Sequence, residues 1–140
     1  MTTDYIAGLF DGEGFFQIDK APRKDTTRGV AYQTHARITM RDKPVLEKIQ
    51  DIYGGSLRLS AAATDKHAEY WSWDVCGQEA SAFAIMVGPR VLIKERQADL
   101  VIRFQGYKAE NKNRPCSDER WDRYEELHQE MKRLNKKGPR

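Results

Sequence analysis

Ile6-Ala7-Gly8-Leu9-Phe10-Asp11-Gly12-Glu13-Gly14 is the stretch on which the reading of the whole chain turns. Ile6, Leu9 and Phe10 fall at i, i+3 and i+4 and make one apolar helical face. Thr2 or Thr3 is placed to cap this helix, and Asp4 sits in its first turn, where the helix dipole favours an anion. Ala7, Gly8 and Gly12 make a second face of unusually small residues. A glycine inside a helix costs about 1 kcal/mol relative to alanine. Two of them call for a reason, and close approach of another backbone supplies one. Glu13 falls at the C-terminal end, beside carbonyls that have no partner within the helix. The dipole disfavours an anion there by roughly 0.3–1 kcal/mol. A bound cation reverses the conflict, because one carboxylate with nearby main-chain carbonyls suits a hard ion such as Mg²⁺.

Outward from this stretch, Gly14 ends the helix and Phe15 to Asp19 begins a strand. Lys20 to Gly29, with Pro22, reads as a long hairpin loop. Val30 to Arg41 alternates cleanly: Val30, Tyr32, Thr34, Ala36, Ile38 and Met40 share one face, and Ala31, Gln33, His35, Arg37, Thr39 and Arg41 the other. Asp42 is an N-cap, with Pro44 in the first turn, for a helix carrying Val45, Leu46, Ile49 and Ile52. Gly54-Gly55 stops it. Ser56 to Ser60 and Glu69 to Cys76 read as strands. Large rings at Tyr70, Trp71 and Trp73 fall on both parities; assigning Trp73 and Val75 to the core leaves Ser72 and Asp74 outward. Gln78 to Val87 is helical with Ala80, Phe83, Ala84 and Val87 buried, Gly88-Pro89 breaks it, and Val91 to Phe104 is helical again. After a polar linker, Ser117 caps a last helix with a stripe of Trp121, Tyr124, Leu127 or His128, Met131 and Leu134. The order is that of an α+β fold, one antiparallel sheet with helices on one face and a C-terminal helical extension.

The quoted stretch resembles the LAGLIDADG motif of homing endonucleases in its G-E-G form. The resemblance extends over about residues 4–106 and takes in Arg90-Val91-Leu92-Ile93-Lys94-Glu95-Arg96-Gln97-Ala98, which is similar to the family segment bearing a basic active-site residue. It implies an αββαββα core with a saddle-shaped four-stranded antiparallel sheet over residues 1–106, then a linker at 107–116 and an amphipathic helix at 117–140. It also implies a homodimeric, single-motif, site-specific endonuclease. Such an enzyme hydrolyses both strands of a long, near-palindromic double-stranded DNA target with divalent metal ions, Mg²⁺ or Mn²⁺ in its place. Carried onto this sequence, the resemblance gives Glu13 and Gly12 to the metal and Glu13, Lys94 and Gln97 to catalysis. Ala7, Gly8, Asp11 and Gly12 go to the helix and dimer interface, Asp11 in a supporting role. Met40 departs from the family, which places a polar residue there. The alternative reading is a non-cleaving binder of the same fold, an intron RNA maturase or a transcription regulator.

The residues themselves bear on this reading. If the small face packs on a symmetry mate, two copies of Glu13 come close, and like charges that near repel unless metal neutralises them. Paired carboxylates with divalent ions are the hardware of two-metal phosphodiester hydrolysis. No internal repeat is visible, so two active sites require two chains.

Composition sets the remaining bounds. The chain has 140 residues and a mass of 16.2 kDa, enough for one domain. A hydrophobic share of 39% and an aromatic share of 10% support a core and exclude a disordered chain. Net charge is only +3, but it is uneven: Lys20 to Lys48 carries eight bases against three acids. A β-ribbon fits the major groove, where one face meets base edges. Gln17, Asp19, Gln33, His35, Arg37, Thr39, Arg41, Arg58, Ser72 and Asp74 are the candidates for that face, with Arg23, Lys24 and Arg28 at the hairpin tip aimed at phosphates. The basic end, Lys136-Lys137, is a further phosphate candidate. Strands of about ten residues span ~33 Å, one turn of B-DNA, so a dimer covers on the order of 20 bp.

No apolar run approaches the roughly 18–20 residues that cross a bilayer, and Met1-Thr2-Thr3-Asp4 opens no export signal. A cytoplasmic location, in a nucleoid or an organellar matrix, is therefore expected. Cys76 and Cys116 have no paired spacing and are read as free thiols, and His35, His67 and His128 lack zinc-ligand spacing.

Overall fold

The computed structural model describes residues 1–136. Thr2 accepts the Tyr5 N–H at 3.1 Å and starts α1 (Thr3–Glu13), which buries Ile6, Ala7 and Phe10. Gly14 follows for reasons of space: a Cβ there would lie 2.3 Å from the Phe10 ring. That ring packs 4.5 Å from Phe16 and 5.2 Å from Phe83, so it has no room to retreat. β1 (Gly14–Pro22) pairs antiparallel with β2 (Val30–Met40). β1 is longer than the sequence implies, because Lys20, Ala21 and Pro22 still pair with Tyr32, Ala31 and Val30, and the loop shrinks to residues 23–29.

Asp42 caps α2 (Lys43–Tyr53) by accepting the Val45 N–H at 3.2 Å. Leu46 and Ile49 are buried as expected, but Ile52 is 51% exposed. Tyr53, one residue on, takes the inward position and meets the Phe83 ring edge-on at 5.7 Å. β3 (Ser56–Ala61) and β4 (Tyr70–Cys76) complete an antiparallel sheet of order β1-β2-β4-β3. Gly55, at φ +88°, brings the turn so close that a Cβ would lie 2.6 Å from the Asp74 carbonyl oxygen. This approach lets the buried Trp73 indole donate to the Gly54 carbonyl at 2.8 Å.

α3 (Gln78–Val87) buries Ala80, Phe83, Ala84 and Val87, the stripe read from its periodicity. α4 (Glu95–Glu110) begins later and ends later than the sequence implies. Residues 91–94 stay outside the helix, because Asp11 takes the N–H groups of Leu92, Ile93 and Lys94, and the helix continues through 107–110, the start of the expected linker. α5 (Asp118–Asn135), capped by Ser117, is part of the core: Trp121, Tyr124, Leu127 and Met131 are buried against β1 and α4. Leu127 carries the stripe, while His128 turns its Nδ1 to the Ile18 carbonyl at 2.6 Å. Tyr32 joins sheet to helix, its ring 6.0 Å from Trp121 and 5.7 Å from Tyr124. Lys137 lies outside the described residues. Among the described residues no helix is long and apolar enough to cross a membrane.

The strand registers sort the sheet into two faces. Phe16, Ala36 and Val75 lie in one row and Ile38, Trp73 and Leu57 in another, all on the helix side. On the opposite side Phe15, Arg37, Asp74 and Ser56 form a row, Gln17, His35 and Cys76 a second, and Thr39, Ser72 and Arg58 a third. Asp19 stands beside Gln33. The alternation read from β1, β2 and β4 holds, because a strand with one face in the core fixes its own parity.

Candidate active site

Glu13 ends α1 and is exposed. Asp11, two residues earlier, turns away from it and accepts three main-chain N–H groups: Leu92 at 2.6 Å, Ile93 at 3.2 Å and Lys94 at 3.2 Å. A carboxylate at these N–H groups, just ahead of α4, sits where the helix dipole favours it. It also pins residues 92–94 against the end of α1. Lys94 then reaches back, its ammonium donating to the carbonyls of Phe10, at 3.2 Å, and Asp11. A cation thus caps the carbonyl end of α1, beside Glu13. Burial pulls the Lys94 ammonium below the usual lysine value, against the opposing pull of the Asp11 and Glu13 carboxylates. Gln97 is buried, and its amide donates to the Leu134 carbonyl at 3.2 Å, so that group serves first to hold α5.

Glu13, Gly12, Lys94 and Gln97 line one open cleft of about 1130 Å³. α5 forms its far wall with Gln129 and Lys132, which share a helix face at i and i+3, and Lys136 follows at the extended C-cap.

The two faces of α1 exchange residues relative to the sequence reading: Ala7 joins the buried face, and Leu9, expected there with Ile6 and Phe10, is only half-buried. Ala7 is 1% exposed and belongs to the chain's own core. The free face is Tyr5, Gly8, Leu9 and Gly12, and a Cβ added at Gly8 or Gly12 would meet nothing within 4 Å. Leu92, 88% exposed, and Ile93, 72% exposed, are held close by Asp11 and extend this face with apolar surface.

The polar sheet face holds Gln17, Asp19, Gln33, His35, Arg37, Thr39 and Asp74 half-buried, with Arg41 and Arg58 exposed. Asp74 stands between His35, 3.1 Å away, and Arg37, 3.6 Å away. Gln33 Oε1 and Arg37 Nε are buried without a hydrogen-bond partner. Arg41 lies over the Tyr70 ring and donates to its hydroxyl at 3.2 Å. Ser72 corrects its expectation: it faces this side but is only 2% exposed, its hydroxyl 2.7 Å from that of Thr39.

The basic stretch is also less uniform than its count implies. Lys43 and Lys48 lie on α2, and Lys20 turns to Glu125 on α5 at 2.9 Å. Arg23 pairs with Asp25 at 2.7 Å, and Arg28 is held by Asp118 and Asp122, each at 3.1 Å. Arg28 is therefore not a free phosphate ligand, whereas Lys24 is exposed.

The family profile for LAGLIDADG endonucleases matches residues 6–82, more than half of the chain. The chain belongs to the LAGLIDADG endonuclease family. No curated protein matches it significantly in sequence. Among solved structures, the homing endonuclease I-CvuI, in complex with an I-CreI target, is 18% identical with a TM-score of 0.80; the match covers 99% of this chain and 84% of that one. The archaeal intron-encoded I-Vdi141I, complexed with DNA, is 20% identical with a TM-score of 0.80, over 99% and 86% of the two chains. I-LtrWI, bound to target DNA, is 19% identical with a TM-score of 0.74 over 94% of this chain and 44% of that one. These likenesses establish the LAGLIDADG fold with its four-stranded antiparallel sheet, α5 included.

Within this LAGLIDADG fold, Met40 ends β2 half-buried against the core and opposite Trp71, leaving no polar group at that position. Among the described residues no three His, Cys, Asp or Glu side chains gather, so one chain offers a divalent ion Glu13 and main-chain oxygens such as Gly12's. That donor set is hard oxygen alone and fits Mg²⁺ or Mn²⁺, with water, phosphate or a second chain completing the shell. Of the residues on the α5 side of the cleft, Lys136 was a phosphate candidate from sequence, and Gln129 and Lys132 were missed. Their spacing was there to see, but nothing local says against what α5 docks.

Proposed function

We propose that this LAGLIDADG chain works as a homodimer that cuts both strands of a long, near-palindromic DNA using divalent metal ions. The observation that carries the proposal is at α1. Glu13 is exposed at the end of a helix whose two glycines meet nothing in their own chain, although each weakens the helix by about 1 kcal/mol. A second copy packed on that face supplies the missing contact and brings the two Glu13 carboxylates together. Tyr5, Leu9, Leu92 and Ile93 give the same face the apolar surface that association needs. The match to only 44% of I-LtrWI leaves room in that chain for a second such unit, which supports the pairing.

Glu13 and the Gly12 carbonyl would hold the metal, which when bound stabilises the attacking and leaving oxygens of phosphodiester hydrolysis. Lys94, anchored on the carbonyl end of α1, places positive charge beside the reacting phosphate and helps activate water. Gln97 shapes the cleft and holds α5. The polar sheet face reads bases through Gln17, Asp19, Gln33, His35, Arg37, Thr39, Arg41, Arg58 and Asp74. I-CvuI is described with its target in 2 mM Ca, and I-SmaMI bound to cleaved DNA, which supports the choice of substrate.

The test is incubation with a library of near-palindromic duplexes and Mg²⁺, followed by sequencing of the cut ends. Double-strand cuts at a defined site that disappear with Glu13→Gln while binding persists are the expected result. Cutting that survives Glu13→Gln overturns the metal site, and RNA binding with no DNA cutting at all favours a maturase.

A further inference from the structure

α5 lays a row of acids along the DNA-reading hairpin. Arg28 lies in the loop joining β1 to β2, and its two terminal nitrogens are shared out: Nη1 to Asp122 and Nη2 to Asp118, each at 3.1 Å. Two carboxylate oxygens on the two tips of one guanidinium reproduce the fork by which arginine grips a phosphate. One turn further along α5, Glu125 takes Lys20 at 2.9 Å and the Tyr32 hydroxyl at 2.5 Å. The Trp121 indole donates to Thr27 in the same loop at 3.2 Å.

We infer that Asp118 and Asp122 act as an internal stand-in for DNA phosphate, a latch that occupies Arg28 and lowers the protein's affinity for DNA of arbitrary sequence. The inference rests on the DNA-endonuclease reading and adds to it a control on indiscriminate binding. Its physical basis is competition. The pairs are exposed, with the Asp118 side chain at 93% and Arg28 at 40%, so solvent screens them and a phosphate can displace them. Displacement nevertheless costs two ion pairs. The latch is not what fastens the helix. α5 is docked by the buried Trp121, Tyr124, Leu127 and Met131 and capped by Ser117, so neutralising the two acids leaves its packing and its cap in place.

The experiment measures affinity for a random-sequence duplex between 50 and 200 mM salt, without added divalent metal. Asp118→Asn/Asp122→Asn is compared with the unaltered chain, with Arg28→Ala, and with the triple variant. One recovered phosphate contact steepens the salt slope by about 0.9 and is worth about three- to fourfold over that salt range. The expected result is a gain of roughly three- to tenfold at low salt in the double variant, and little of that gain when Arg28 is also alanine. Unchanged or weaker binding in the double variant, or an equal gain without Arg28, overturns the inference. If thermal melting shows the double variant unfolded, Asp118→Asn alone, which keeps one pair, should give a smaller gain of the same sign, and no gain there overturns it too. An unaltered chain that binds no duplex at any salt instead refutes the DNA reading itself, an outcome distinct from loss of the latch.

Discussion

Glu13, Asp11 and Gly14 are close in sequence and do three different things. Glu13 is the exposed acid at the carbonyl end of α1, and its removal should abolish cleavage while leaving DNA affinity nearly unchanged. Asp11 is spent within the chain on Leu92, Ile93 and Lys94. Asp11→Ala should cost about 1–2 kcal/mol, in the range of a lost helix cap, and should depress cleavage beyond that by releasing Lys94. Urea unfolding and single-turnover rates, measured on the same sample, separate the two effects. Gly14→Ala forces a methyl into the Phe10 ring. Its expected cost is about 1–3 kcal/mol, the range for overpacking a tight core, read as a lowered unfolding midpoint. The sequence showed the type and spacing of these residues. It could not show which acid faces solvent, since that depends on the loop at 91–94, eighty residues away.

At the scale of elements, what is local was legible. The Thr2, Asp42 and Ser117 caps, the strand parities and the α3 stripe are each set by neighbours within one or two turns, and each stands in the structure. What failed was decided at a distance. α4 starts at Glu95 rather than Val91 because Asp11 takes the N–H groups between them, and Tyr53 displaces Ile52 because of the Phe83 ring. The apolar stripe that docks α5 was legible, but the surface it meets was not, nor were the side chains that grip main chain there: His128 on Ile18 and Asn135 on Phe16, the latter at 2.7 Å.

One consequence of that docking is a pH dependence. Hydrogen bonds from Tyr32, Gln129 and Lys20 hold Glu125 down at about 2, against a usual 4.5. A carboxyl depressed in the folded state contributes stability above its unfolded value and loses it as pH falls through the folded one. The Glu125 contribution should therefore be complete above about pH 4.5 and fade toward pH 2. Burial, and then Glu125, push the Tyr32 hydroxyl up, so its contribution is present below pH 10 and is lost as pH rises above it. Urea midpoints across pH 2–6 should flatten in Glu125→Gln relative to the unaltered chain.

For the whole molecule, the decisive feature is an asymmetry between the two sides of α1. One side is closed by the chain's own core; the other carries Gly8 and Gly12 with nothing against them. In an isolated chain a methyl at Gly8 has open space and should stabilise the helix by up to about 1 kcal/mol. In a pair packed on that face, the same methyl collides. Gly8→Ala should thus raise the melting temperature of a dilute monomer yet weaken or abolish self-association.

The most direct measurement is the mass of the protein–DNA complex by sedimentation, on a duplex that the protein selects and in Ca²⁺. Two 16.2 kDa chains on each duplex is the expected result, falling to one or none with a bulkier Gly8→Leu. A single chain that remains alone on its duplex and still cuts both strands on addition of Mg²⁺ would contradict the account.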